Sequence, residues 1–91
     1  MGLQLDADGT LEFPCRYPVK AMTRTREKAL EQVISVIAGR GAQPDRDSVK
    51  LRPSRNGRYQ SITVEVHVQS RDQLEDVYTG LRQLDIVVMT L

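Results

Sequence analysis

Residues 49–68 read VKLRPSRNGRYQSITVEVHV, and this stretch decides the fold. Its second half alternates apolar with polar residues, which is typical of a β-strand that buries one face. In its middle, Asn56-Gly57 is a dipeptide preferred in two-residue type I′ loops, where both residues adopt positive φ. The stretch therefore predicts an antiparallel hairpin that turns at Asn56 and Gly57.

The register that follows from this turn agrees with the side-chain pattern. Leu51 falls opposite Ile62 and Val49 falls opposite Val64, so we expect the apolar residues of both strands on one buried face. A shift of one residue would move one strand's apolar residues to the other face. Pro53 has no backbone N–H to donate, which predicts that the first hairpin strand lies at a sheet edge.

Before the hairpin, the spacing of apolar residues predicts a strand and then a helix. Residues 17–23 alternate between two faces, and the following apolar residues recur at three- and four-residue intervals, as on one face of a helix. That helical stripe consists of Leu30, Val33, Ile34 and Ile37. Thr23 or Thr25 is expected to cap the helix start, and Gly39 or Gly41 to end it.

After the hairpin, the chain predicts a second helix and a last strand. Ser70 and Gln73 have the spacing of a capping box. The expected buried residues of this helix are Leu74, Val77, Tyr78, Leu81 and Leu84. Residues 86–91 are apolar enough to form a strand but do not alternate, so they leave its buried face undecided.

The element order β-α-β-β-α-β predicts an α+β, ferredoxin-like sandwich. We expect a four-stranded antiparallel sheet, spatial order 4-1-3-2, with two helices on one face. Residues 12–91 form this single domain in our interpretation, and residues 1–11 form a flexible N-terminal tail.

Composition narrows the function classes. The 91 residues hold one cysteine and no apolar run of membrane-spanning length, and no secretory signal begins the chain, so we expect a cytoplasmic protein without a membrane partner. The net charge is +1, but residues 16–58 carry eleven of the thirteen basic residues and only four acidic ones. This basic half predicts contact with an anionic ligand or a neighbouring copy, although an uneven solvated surface has the same composition.

No residue pattern predicts catalysis. His67 is the sole histidine and Cys15 lies far from it in the chain, so the sequence suggests no catalytic residue, no metal site and no cofactor. We expect a protein that is not an enzyme.

The helix-free face of the sheet is the candidate site. Alternation and the hairpin tip give a candidate ligand or partner surface made of Lys20, Met22, Lys50, Arg52, Ser54, Arg55, Asn56, Gly57, Arg58, Tyr59, Ser61 and His67. RNA-recognition modules of this fold stack bases on aromatic residues of the central strands, and only 4% of this chain is aromatic. That scarcity argues against a nucleic-acid partner, although the basic edge leaves weak binding open.

Three segments carry a family resemblance: RPSRNGRYQSITV at residues 52–64, FPC with VKAM at residues 13–22, and LDIVVM at residues 84–89. Together they resemble the YbeD family of small bacterial proteins. The resemblance implies a ferredoxin-like fold similar to the ACT regulatory domains, a link to lipoate metabolism, and no catalytic residues. Val88 departs from the family's frequently polar residue, and beside Met22 on the open face it would enlarge an apolar patch.

The leading hypothesis is a non-enzymatic regulatory or adaptor module, ACT-like, that binds a small metabolite or a protein partner. The alternatives are a structural homodimer that uses the open sheet face, and weak nucleic-acid binding by the basic edge.

Overall fold

The computed structural model describes residues 11–91, so the predicted tail lies outside the described residues except for Leu11, which packs against the core. Eight elements follow one another along the chain. They are β1 (Cys15–Arg24), α1 (Ala29–Gly39), β2 (Gln43–Pro44), a 3-10 helix (Arg46–Ser48), β3 (Lys50–Pro53), β4 (Tyr59–Val68), α2 (Arg71–Arg82) and β5 (Val87–Thr90).

All five strands form one antiparallel sheet. β5 pairs with β1, β1 pairs with β4, and both β2 and β3 pair with the far edge of β4. This is the predicted order 4-1-3-2 with the edge strand divided in two, so the predicted α+β ferredoxin-like fold is confirmed. The strand count is five rather than four.

The edge strand divides at the 3-10 helix. Asp45 accepts a hydrogen bond from the Asp47 N–H at 3.0 Å, which stabilises this turn. The edge of β4 stays paired across the gap, because the Glu65 carbonyl accepts from the Asp45 N–H at 2.9 Å and the Glu65 N–H donates to Ser48 Oγ at 2.8 Å. Val49 consequently lies outside the strand, and the ladder begins with Lys50 opposite Thr63.

The hairpin register is as predicted, with Leu51 opposite Ile62. The prediction of a type I′ loop is wrong, because such a loop needs a positive φ at both Asn56 and Gly57. Gly57 has a φ of 77°, but within the described chain only Gly57 and Gly41 have a positive φ, so Asn56 does not. The Gly57 N–H donates to the Ser54 carbonyl at 3.0 Å, which makes a four-residue turn over residues 54–57 whose last residue is the left-handed glycine. Asn56 Oδ1 accepts from the Arg58 N–H at 3.0 Å, and this local bond holds the loop without a positive φ at Asn56.

Both helices cover one face of the sheet and bury most of the predicted stripes, whereas Leu30, Tyr78 and Leu84 are only partly buried and Leu84 lies beyond the end of α2. The buried apolar core contains Val19, Ala29, Val33, Ile34, Ile37, Ala42, Ile62, Val64, Val66, Val68, Leu74, Val77, Leu81 and Ile86. Leu51 is an exception, since it stays 51% exposed although its partner Ile62 is 1% exposed. Leu51 therefore faces the helix side of the sheet from an edge strand that the helices do not cover.

The ends of the helices test the predicted caps. Ser70 Oγ accepts from the Gln73 N–H at 3.1 Å, as predicted for α2. The predicted threonine caps of α1 are wrong, because the residue before that helix is Lys28, without a capping side chain, while Thr23 is buried in β1. Gly41, with a φ of 84°, is the glycine that follows the end of α1.

Candidate anion-binding groove on the open sheet face

The antiparallel registers arrange the open face in rows across the strands. One row runs from Lys20 on β1 through Thr63 on β4 to Lys50 on β3. The next row runs from Met22 through Ser61 to Arg52. Directly opposed residues of paired strands lie on the same face about 5 Å apart, so each row holds its side chains together.

These rows form a groove with a volume of about 510 Å³ that is open to solvent. Its lining is Pro18, Lys20, Lys50, Arg52, Ser61, Thr63 and Leu91. Three cations, two hydroxyls and an apolar end residue suit an anion that has a small apolar part, because ammonium, guanidinium and hydroxyl groups all donate hydrogen bonds.

The three cations of the groove form no ion pairs with the side chains of the described residues. Within residues 11–91 the ion pairs join Arg16, Arg40 and Arg46 to carboxylates, and none involves Lys20, Lys50 or Arg52. Among the described residues, no acidic side chain lines the groove. Like charges gathered on a concave surface raise the local concentration of anions, and a bound anion would relieve their mutual repulsion.

Two smaller concavities continue from the groove towards the hairpin tip. A pocket of about 170 Å³ shares Arg52 and Ser61 with the groove and adds Met22 and Tyr59, among others. A cleft of about 390 Å³ then shares Tyr59 with that pocket. The cleft is lined by Arg24, Thr25, Arg26, Gly57, Arg58 and Tyr59.

The structure therefore brings together most of the predicted surface, in three connected parts. Lys20, Lys50, Arg52 and Ser61 line the groove; Met22, Ser54 and Tyr59 line the pocket; and Gly57 and Arg58 line the cleft. Arg55 and Asn56 are exposed in the hairpin loop. His67 is also exposed, but it lies at the opposite end of β4, opposite Arg16, and lines none of these three concavities.

Arg16 organises that opposite end and was missed by sequence reasoning. Its Nε donates to Glu65 and its Nη2 donates to Asp45, both at 2.8 Å, and this contact holds the pKa of the Asp45 carboxyl below its ordinary value. The predicted strand starts at residue 17, so it does not place Arg16 on the open face. Extending the strand backwards by one residue would have found it, since Arg16 and Pro18 share a face.

Strand β5 adds an apolar strip beside the groove. Met89 lies opposite Met22, and the register shifts between Met22 and Thr23 because β5 carries an irregularity there. Val88, Met89 and Leu91 are 44%, 48% and 61% exposed. Met89, and not Val88, therefore lies opposite Met22 and extends the apolar area there.

The structure places the thiol in a setting that disfavours nucleophilic chemistry. Cys15 is partly buried, and desolvation raises the pKa of its thiol, so little thiolate forms at neutral pH. Within residues 11–91, no group of three or more His, Cys, Asp or Glu side chains could hold a metal ion. In the same range, neither helix is long and apolar enough to cross a membrane.

Sequence comparison finds a family over nearly the whole chain. Residues 8–91 match the family described as "Protein of unknown function (DUF493)". A UPF0250 protein of Paraburkholderia phytofirmans is 33% identical over 84 residues, which cover 92% of this chain and 94% of that protein. A UPF0250 protein of Vibrio cholerae is 37% identical over 81 residues, which cover 89% and 86%.

Two solved structures share the architecture. The solution structure of an H. pylori protein has a TM-score of 0.76 at 18% identity and covers 100% of this chain and 97% of that one. The ACT domain from the GTP pyrophosphokinase of Chlorobium tepidum has a TM-score of 0.66 at 14% identity and covers 84% and 94%. At these identities the likeness concerns the fold.

Proposed function

The chain belongs to the DUF493 family, which includes the UPF0250 and YbeD proteins, and we propose that it is a regulatory or adaptor module. In this proposal the module binds a small anionic metabolite in its sheet groove. The observation that carries this proposal is the groove itself. Lys20, Lys50 and Arg52 converge on it without a carboxylate partner in the described chain.

The geometry supports a ligand with one anionic group rather than a neutral one. Lys20 and Lys50 stand on either side of Thr63, so a carboxylate or phosphate between them would contact both ammonium groups and the hydroxyl. Arg52 lies one row away and offers the planar donor pair that matches such groups. Leu91 at the groove's end would contact an apolar part of the ligand.

The fold supports regulation as the biological role. ACT domains are regulatory domains, and the ACT domain named above has a similar fold. The family resemblance adds lipoate metabolism as a candidate setting. Lipoate is an acid with an apolar body, so it belongs to the class of ligand that the groove favours.

The proposal is tested by thermal shift and calorimetry with amino acids, lipoate and inorganic phosphate. A ligand at a hundredfold excess over its Kd stabilises the folded state by about 2.7 kcal/mol, which raises the Tm by about 10 to 20 °C in a domain of this size. Lys50→Gln and Arg52→Gln should abolish the shift. Arg82→Gln removes the same charge from the exposed last turn of α2 and should leave the shift intact.

Two results would contradict the proposal. One is a shift that survives Lys50→Gln combined with Arg52→Gln, since the ligand would then bind elsewhere. The other is the absence of a shift with every acid tested, in a protein that circular dichroism shows to be folded.

A homodimer is a second candidate, favoured by the exposed apolar residues of β5. Val88 and Met89 lie in the outer strand β5 and Leu91 follows it, and exposed apolar residues at a sheet edge favour pairing with another strand. Pairing through β5 would keep the two basic grooves apart, whereas stacking the open faces would oppose their like charges. Light scattering on the wild type and on Met89→Lys tests it; a monomer at high micromolar concentration would refute it.

A further inference from the structure

We propose that the groove is one end of a longer basic track that binds single-stranded nucleic acid. This inference goes beyond the small-anion function, because it depends on the hairpin end of the surface. The groove, the pocket and the cleft are joined by shared lining residues, Arg52 and Ser61 at the first junction and Tyr59 at the second. The three concavities therefore adjoin one another on the same sheet face, so one extended ligand can contact all of them.

The track runs along β4 towards the hairpin. Thr63 lies in the groove and Tyr59 lies in the cleft, four residues away, which corresponds to about 13 Å of strand. Beyond Tyr59 the cleft adds the loop that follows β1. This length exceeds a single carboxylate or phosphate group and suits consecutive phosphates of one chain.

Unpaired cations border the whole track. Within residues 11–91, none of the following forms an ion pair: Lys20, Arg24, Arg26, Lys50, Arg52 and Arg58. In that part of the chain, no acidic side chain lines the groove, the pocket or the cleft. The carboxylate of Glu65, on the neighbouring row, is engaged by Arg16. The net charge of the chain is only +1, because acidic residues outside the track offset these clustered cations.

Tyr59 adds an aromatic ring on which a base can stack, which a site made of charged groups alone does not have. It is half-buried at the junction of the pocket and the cleft and lies opposite Arg24. Proteins that bind single strands without sequence preference combine a positive groove for the backbone with aromatic rings on which bases stack. A duplex keeps its bases stacked on one another and would leave this ring without a partner, so the arrangement favours a single strand.

The test is fluorescence anisotropy with a short labelled oligouridylate and the matching oligothymidylate. We expect binding to both at low salt that weakens as salt rises, because phosphate contacts release counterions. Tyr59→Leu should weaken binding about 5-fold to 150-fold because the bases no longer stack on the ring, with the salt slope unchanged. Arg24→Gln combined with Arg58→Gln should weaken binding and make the salt slope shallower by about 0.7 for each phosphate that these arginines no longer neutralise.

Arg82→Gln, far from the track on α2, is the control and should bind as the wild type does. Equal affinity for polyglutamate would show a site for negative charge alone and overturn the inference, as would wild-type affinity in both track variants. Failure of the two functions can be told apart. If neither oligonucleotide binds while a small acid still shifts the Tm, the track is refuted and the small-anion groove stands.

Discussion

Gly80 of α2 and Val36 of α1 meet where the two helices cross, and a Cβ added to Gly80 would lie 2.8 Å from Val36 Cγ1. Real Cβ contacts are essentially never that short, so the helices approach as closely as a glycine allows. Val36 cannot easily turn away, because a β-branched side chain in a helix has one strongly preferred rotamer. The approach of the two helices therefore depends on the missing side chain of Gly80.

Gly80→Ala is expected to lower the free energy of unfolding by about 1 to 2 kcal/mol, because overpacking outweighs the gain in helix propensity. Gly39→Ala is the matched control. A Cβ at Gly39, the last residue of α1, would meet nothing within 4 Å, so this variant should gain up to about 1 kcal/mol. Urea unfolding measures both. Equal stabilisation by the two alanines would show that the helices can separate without cost.

The cross-strand partners Leu51 and Ile62 give a second prediction. Leu51→Ala should cost less than about 1 kcal/mol, because the side chain is 51% exposed, whereas Ile62→Ala removes a side chain that is 1% exposed and should cost about 2 to 5 kcal/mol. The measurement is again urea unfolding, with Leu51→Thr as a check that the edge tolerates a polar residue. A loss of stability at Leu51 as large as that at Ile62 would mean that something covers this edge in solution.

The placement of a residue could be predicted where it depends on the local strand pattern, and could not where it depends on how distant elements pack. Lys20, Lys50 and Arg52 were placed on one face correctly, because side chains alternate along a strand and the hairpin fixes the register of β3 on β4. The covering of Leu51 could not be read in the same way, since it depends on where the helices end above the sheet. The alternation gives the face of a residue, not the extent of the layer that lies over it.

The split of the edge strand and the form of the turn depended on individual polar side chains. Ser48 Oγ takes the place of a strand carbonyl opposite the Glu65 N–H, and Asn56 Oδ1 holds the hairpin loop. Short polar side chains compete with the backbone for such bonds, and sequence patterns do not say which competitor wins. Lys20, Lys50, Arg52 and Ser61 were thus predictable as groove residues, whereas Pro18, Thr63 and Leu91 were not in the predicted surface and the continuation into the cleft needed the loop geometry.

Asn56 gives the third prediction. Its Oδ1 accepts from Ser54 Oγ at 3.1 Å and from the Arg58 N–H at 3.0 Å. Asn56→Ala should therefore lower the free energy of unfolding by about 0.5 to 1.5 kcal/mol, while Asn56→Asp keeps the acceptor and should stay close to the wild type. An Asn56→Gly variant more stable than the wild type would contradict this turn, because glycine is favoured there only if φ is positive.

The fourth prediction concerns acid stability and rests on Arg16 and Asp45. The hydrogen bond from the Arg16 guanidinium, followed by that from the Asp47 N–H, lowers the pKa of the Asp45 carboxyl from its ordinary 3.8. A carboxyl with a depressed pKa in the folded state binds its proton more readily when unfolded. Its contribution to stability is therefore present above the unfolded pKa and is lost as pH falls through the folded one.

Asp45→Asn removes this titration, so the urea midpoint of the variant should decline less steeply than that of the wild type between about pH 5 and pH 2. Glu31→Gln is the comparison, because Arg46 lowers the pKa of Glu31 in a separate pair at the surface. If the two pairs act independently, the double variant should lose both contributions additively. An acid decline that is unchanged in Asp45→Asn would mean that Arg16 is satisfied by Glu65 alone, and that the bond to Asp45 does not hold the 3-10 segment against β4.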